Sequence, residues 1–154
     1  MRRIVRFIKK FTKSRENWDL PGGLIISALV AECYFSHLHR DDISLYDTLI
    51  AIRNRLKYNE DVYNPADPSQ KLTGRPVDYG RIRRLREKFD SAETNLSVLF
   101  DSNCEDKQAK DAWFWFFQHS FWASGEETKA WMRWENSSVR QLEVEPFLFQ
   151  KRDK

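Results

Sequence analysis

The residues best suited to chemistry lie near the start of the chain. Residues 2 to 15 carry seven basic side chains (Arg2, Arg3, Arg6, Lys9, Lys10, Lys13, Arg15) and no acid. On a helix turning about 100° per residue, Arg2, Arg6, Lys9 and Lys13 fall on one narrow stripe. Ile4, Phe7, Ile8 and Phe11 gather on the opposite side. Cations at that spacing can neutralise a row of phosphates. A solvated terminal helix would show the same pattern. A helix lying on a membrane surface is a weaker fit, because the apolar side is needed for packing in a chain this small. Pro21-Gly22-Gly23 then precedes an apolar run. Backbone N–H groups left bare by glycine at a helix start attract anions. A plain turn also accounts for two glycines, and the string is neither a Walker nor a Rossmann glycine pattern.

The remaining candidates are weaker. Cys33 and His37 stand four apart on an expected helix face, as zinc ligands can, with Cys104 and His119 far off in sequence. No Cys-x-x-Cys is present, so a buried thiol with surface histidines is preferred and no metal is expected. There is no Gly-x-Ser-x-Gly and no His-Glu-x-x-His. Asp41-Asp42 reads as a helix cap, since Ile43 and Leu45 begin an apolar stripe directly after it. Bases stack on aromatics, but the block Trp113-Phe114-Trp115-Phe116-Phe117 is better explained as core.

The elements that must position these groups read as helix after helix. The first covers residues 2 to 15. The second runs from Leu24 to Leu38, apolar almost all round, and is expected to be central and buried. The third runs from Asp41-Asp42 to Lys57. Residues 58 to 77 hold three of the five prolines and read as a long irregular segment. The fourth helix runs from Asp78 to Phe100. Its basic start (Arg81, Arg83, Arg84, Arg86, Lys88) would hold a further ligand or face solvent. The fifth spans Glu105 to Gln118. A short helix is expected over 126 to 135, and a strand or docked tail at the end. The class is all-α, a bundle of about five to six helices. Residues 1 to 122 form the helical unit and 123 to 154 an extension packed on it.

Composition agrees. A chain of 154 residues fits one domain, and 41% hydrophobic content is too high for disorder. Five glycines and five prolines exclude collagen-like and low-complexity architectures. No run of 18 apolar residues occurs. Lys9, Lys10 and Lys13 interrupt what would have to be the apolar stretch of a signal peptide. Two cysteines without an export signal are expected to be reduced thiols in the cytoplasm.

Two strings carry a family resemblance. Arg2-Arg3-Ile4-Val5-Arg6-Phe7-Ile8-Lys9-Lys10-Phe11 and Leu20-Pro21-Gly22-Gly23-Leu24-Ile25-Ile26-Ser27-Ala28-Leu29-Val30-Ala31-Glu32 resemble the C-terminal helical half of bacterial cyclic GMP-AMP synthase-like nucleotidyltransferases, the CD-NTases of CBASS antiphage signalling. Arg40 to Leu45, Val62 to Pro68 with Lys71-Leu72-Thr73, and Phe117 to Trp122 are similar in the same order. The resemblance spans residues 2 to 122. It implies a helical half that holds nucleotides, facing a catalytic half that joins them into cyclic oligonucleotides. The catalytic Gly-Ser turn, paired aspartates and third acid belong to that other half and are not recognisable here. Mg²⁺ would come with them, and no cofactor is expected in this chain. By resemblance Lys9, with Lys10 beside it, meets the triphosphate of a nucleoside triphosphate. Gly22 and Gly23 stand where relatives often supply a serine, which leaves backbone N–H contact. The implied partners are the catalytic half or a second copy, and no membrane. The alternative is a free-standing, non-enzymatic all-α module that binds a protein, a nucleotide or nucleic acid.

Overall fold

A computed structural model describes residues 1 to 123. Its helices are α1 (Arg2–Thr12), α2 (Gly23–Cys33), α3 (Asp41–Tyr58), α4 (Pro76–Leu96) and α5 (Asp106–Phe117). A hairpin of β1 (Tyr63–Asn64) and β2 (Asp67–Lys71) lies between α3 and α4. Short 3-10 turns follow α4 (Ser97–Phe100) and α5 (Ser120–Trp122). The class is all-α, with one small sheet. The helix expected over 126 to 135, the terminal strand or tail, and all but the first residue of the expected extension lie outside the described residues.

The core forms where the apolar stripes meet. Ile4, Phe7, Ile8 and Phe11 of α1 are buried, as the wheel predicts. Phe11 sits at the centre, stacked on Phe116 of α5 with ring centroids 4.4 Å apart and touching Phe89 and Trp18. Leu45, Leu49, Ile52 and Leu56 of α3 join Ile82, Leu85, Phe89, Ala92 and Leu96 of α4 in the same core. Arg53 crosses from α3 to Asp90 (3.0 Å) and Glu93 (2.5 Å) of α4. The aromatic block packs as expected, with Trp113, Phe116 and Phe117 buried.

Several boundaries differ from the sequence reading, each for a local reason. α1 ends at Thr12 rather than residue 15. The Thr12 hydroxyl donates to the Lys9 carbonyl (3.1 Å) and Ser14 to that of Phe11 (2.7 Å), which serves the last carbonyls without further helix. α2 ends at Cys33 rather than Leu38. There, Thr48 Oγ1 accepts the Phe35 N–H (3.2 Å) and Ser44 Oγ that of His37 (2.9 Å). α3 thus satisfies donors that a longer α2 would have used. Nor is α2 buried all round: Ile26, Ala28, Leu29 and Val30 face the core, but Leu24 is 60% exposed and Ala31 is exposed. Asp41 and Asp42 occupy the first turn of α3 without capping it through a side chain. Instead Arg3 of α1 binds Asp41 (3.0 Å), and Arg40 binds Asp42 (2.6 Å).

The segment expected to be irregular is an antiparallel hairpin with Tyr63 opposite Lys71 and Asn64 opposite Asp67. β2 is exposed along its whole length, which is where a strand tolerates Pro68. The hairpin base is buried: Val62 donates its N–H to Thr73 Oγ1 (2.9 Å), and Leu72 donates to the Val62 carbonyl (2.8 Å). Asp61 ties the base to α4, taking Lys71 Nζ (2.8 Å) and the Tyr79 hydroxyl (2.9 Å). α4 begins at Pro76, a residue preset for the first helical position. The Asp78 carboxylate accepts the Arg75 N–H (3.0 Å) and closes a capping box.

Candidate phosphate-binding site

α1 and α2 pack side by side, and this brings Lys9 to the first residue of α2. A Cβ built on Gly23 would stand 3.3 Å from Lys9 Cε and 3.5 Å from its Nζ. The first N–H groups of any helix lack helical acceptors. At α2 no side chain caps them: Gly22 is the N-cap residue and offers only backbone. Helix starts carry partial positive charge and favour anions. A lysine ammonium there is placed against the local field. Among the described residues no carboxylate pairs with Lys9. One anion seated between them would satisfy both the ammonium and the helix start.

A hollow of about 250 Å³ opens beside this turn. Leu24, Ile25 and Leu72 give it apolar walls, and Gly22, Arg75 and Arg81 line it as well. α4 begins at the same hollow, so two helix N-termini converge there. The one at α4 is already served by Asp78, whose carboxyl is held below the ordinary value by hydrogen bonds from Arg75. Arg81 Nε reaches Asp19 (2.6 Å), and Arg84 grips the same carboxylate (2.5 Å) and the Asp19 carbonyl (2.9 Å). Asp19 therefore ties the turn leading into Pro21-Gly22-Gly23 to α4.

Of the residues expected from sequence, Lys9, Gly22 and Gly23 come together. Lys10 is half-buried, about 100° around α1 from Lys9. No ion pair or hydrogen bond ties it to the turn among the described residues. Arg75, Arg81 and Asp19 escaped the sequence reading as members of the site. The basic start of α4 was the available signal, but sequence spacing does not reveal which of its arginines turns toward residue 19.

Arg15 closes the basic segment in a different role. Its guanidinium lies over Trp18 (4.4 Å to the ring centroid) and Trp115 (4.8 Å) and donates to the Trp115 carbonyl and to Ser14 Oγ (2.7 Å). Burial lowers its pKa to about 10. Cys33 and His37 do not share a helix face, because α2 has ended between them. Burial raises the Cys33 thiol to about 11, and His37 bonds Asp47 (2.7 Å). Among the described residues no group of three His, Cys, Asp or Glu side chains is arranged to hold a metal ion. No helix among them is long and apolar enough to cross a membrane.

No protein-family profile matches the chain, and no curated protein is significantly similar to it. The arrangement sets the Lys9 ammonium beside the uncapped start of α2, while the arginines that line the neighbouring hollow, Arg75 and Arg81, are paired with Asp78 and Asp19.

Proposed function

We propose that this chain is the helical, nucleotide-holding half of a nucleotidyltransferase that makes cyclic oligonucleotide second messengers for antiviral defence. The observation that carries the reading is the Lys9 ammonium set, without an acidic partner among the described residues, against the uncapped start of α2. The order of family-like strings from residue 2 to 122 supports it independently. In this reading Lys9 neutralises the triphosphate of a nucleoside triphosphate. The Gly22-Gly23 turn donates backbone N–H groups, and Lys10 adds to the local positive potential. The chain contains no Gly-Ser dipeptide and no Asp-x-Asp. It therefore holds nucleotides without joining them. The acids and Mg²⁺ that align a 3′-hydroxyl with an α-phosphate belong to a catalytic half, the partner this reading requires.

The test is titration of the purified 154-residue chain with ATP and GTP, beside Lys9→Ala. Hydrogen bonds to charged groups contribute about 1.5–3 kcal/mol, so the variant should bind about 10- to 100-fold more weakly. Equal affinity would refute the role of Lys9. Mg²⁺-dependent polymerisation by the chain alone would refute the division of labour. The alternative, a free-standing binding module, draws on the closed core around Phe11. It binds a protein, a nucleotide or nucleic acid with no catalytic half, and predicts that adding such a half to the same titration leaves nucleotide affinity unchanged.

A further inference from the structure

Asp19 is an acid close to a candidate anion site, and its charge is the wrong sign to attract a phosphate. It stands in the turn that opens α2, ahead of Pro21-Gly22-Gly23. Arg81 Nε reaches one of its carboxylate oxygens (2.6 Å) and Arg84 the other (2.5 Å). Arg84 Nε also donates to the Asp19 carbonyl (2.9 Å), so side chain and backbone are both held. The carboxylate is 54% exposed, and ion pairs in water contribute little to overall stability. The clasp is therefore placed to fix this turn rather than to keep the bundle folded. Among the described residues, every hydrogen bond from residues 19 to 22 to α4 begins or ends at Asp19. The turn's other bonds are local: Leu20 N–H to the Trp18 carbonyl, and Ile26 N–H to that of Gly22.

We propose that Asp19 is a positioning residue of the phosphate site: clasped by Arg81 and Arg84, it aims the Gly22-Gly23 turn at the anion that Lys9 meets. This role rests on the triphosphate reading above. Two adjacent glycines give the turn wide backbone freedom, and no side chain caps α2. The direction of its bare N–H groups is thus set from outside. Pro21, buried, fixes the inner side of the turn, and Asp19 fixes the outer side. Donors held in place before the ligand arrives cost no ordering when it binds. Charge and position make opposite predictions for removing this acid. Its loss deletes a negative charge and frees two guanidiniums, which by charge alone would tighten ATP binding. Loss of aim would weaken it.

The test is ATP titration of the full chain beside Asp19→Ala, with amide exchange followed by NMR in the ligand-free proteins. Asp19→Ala should bind ATP about 10-fold more weakly. Its Ile26 N–H, bonded to the Gly22 carbonyl at 3.2 Å, should exchange faster than in the parent. Leu49 and Ile52, inside α3, should keep their exchange rates, which separates a loosened turn from a damaged fold. Arg84 does not line the hollow and acts through the same clasp. Asp19→Ala/Arg84→Ala should therefore bind ATP no more weakly than either single variant. Equal or tighter ATP binding by Asp19→Ala would overturn the role of Asp19 alone. So would unchanged exchange at Ile26, or losses that add in the double variant. A parent that binds no ATP would overturn the triphosphate reading and this role together.

Discussion

Lys9 and Gly23 occupy each other's margin: there is room at Gly23 for a hydrogen but not for a methyl group, unless the tip of Lys9 moves from 3.3 Å. That tip is flexible, so Gly23→Ala should leave the fold intact. Replacing glycine where the backbone permits typically adds about 0.4–1 kcal/mol. The expected outcome is an unchanged or slightly raised Tm with ATP affinity several-fold weaker, read by thermal melts and titration. Gly22→Ala is the control, since nothing stands within 4 Å of a Cβ there. If Gly23→Ala binds ATP like the parent, the position of the Lys9 ammonium has no bearing on phosphate.

Arg15 should act as a structural cation. Arg15→Gln loses the stack on Trp18 and Trp115 and the bond to the Trp115 carbonyl. A cost of about 1–3 kcal/mol is expected in urea melts. Arg15→Lys should recover little, because an ammonium lacks the planar fork. A full recovery by lysine would show that charge alone matters.

Phe11→Ala removes the ring at the centre of the core, fully buried and stacked on Phe116. The loss should be about 3–5 kcal/mol. Chemical denaturation measures it, and a cost below about 1 kcal/mol would mean the site collapses around the missing ring.

Asp78 gives the fold an acid-sensitive seam. Its folded-state carboxyl sits below the ordinary 3.8, held there first by the side-chain hydrogen bond from Arg75. The stabilisation is complete well above 3.8 and disappears as pH falls through the lower folded value. Asp78→Ala should lower Tm by about 2–4 °C at pH 7, and the two melting curves should converge as the pH falls below the carboxyl's folded-state value. A gap that persists at low pH would mean the carboxylate charge is not what stabilises the start of α4.

The thiols should resist alkylation. Cys33 is raised to about 11, by burial first and then by Glu32. Cys104 is raised by burial and by its acidic neighbours. Iodoacetamide at pH 7.5 should modify both far more slowly than a free cysteine, as mass spectrometry would report. Rapid labelling of Cys33 would show that the end of α2 opens in solution.

The parts legible in the sequence are those fixed by local periodicity. The buried faces of α1, α3 and α4 follow from apolar residues three and four apart. What escaped was decided by distant partners. α2 stops at Cys33 because Thr48 and Ser44, on the next helix, accept its neighbours' N–H groups. The hairpin at 63 to 71 hides behind prolines and is held by Thr73, Lys71 and Tyr79. The Arg81–Asp19 pair joins residues 62 apart, and no spacing rule relates them.

That last pair gives the entrance to α2 two kinds of fastening. On one side the turn is moored by exposed charges, Asp19 against Arg81 and Arg84; on the other it rests on greasy packing beneath Pro21 and Ile26. Electrolyte screens the first and leaves the second untouched. Ionic strength thus becomes a dial on the suppleness of a single rim, slackening the doorway while the house stays standing.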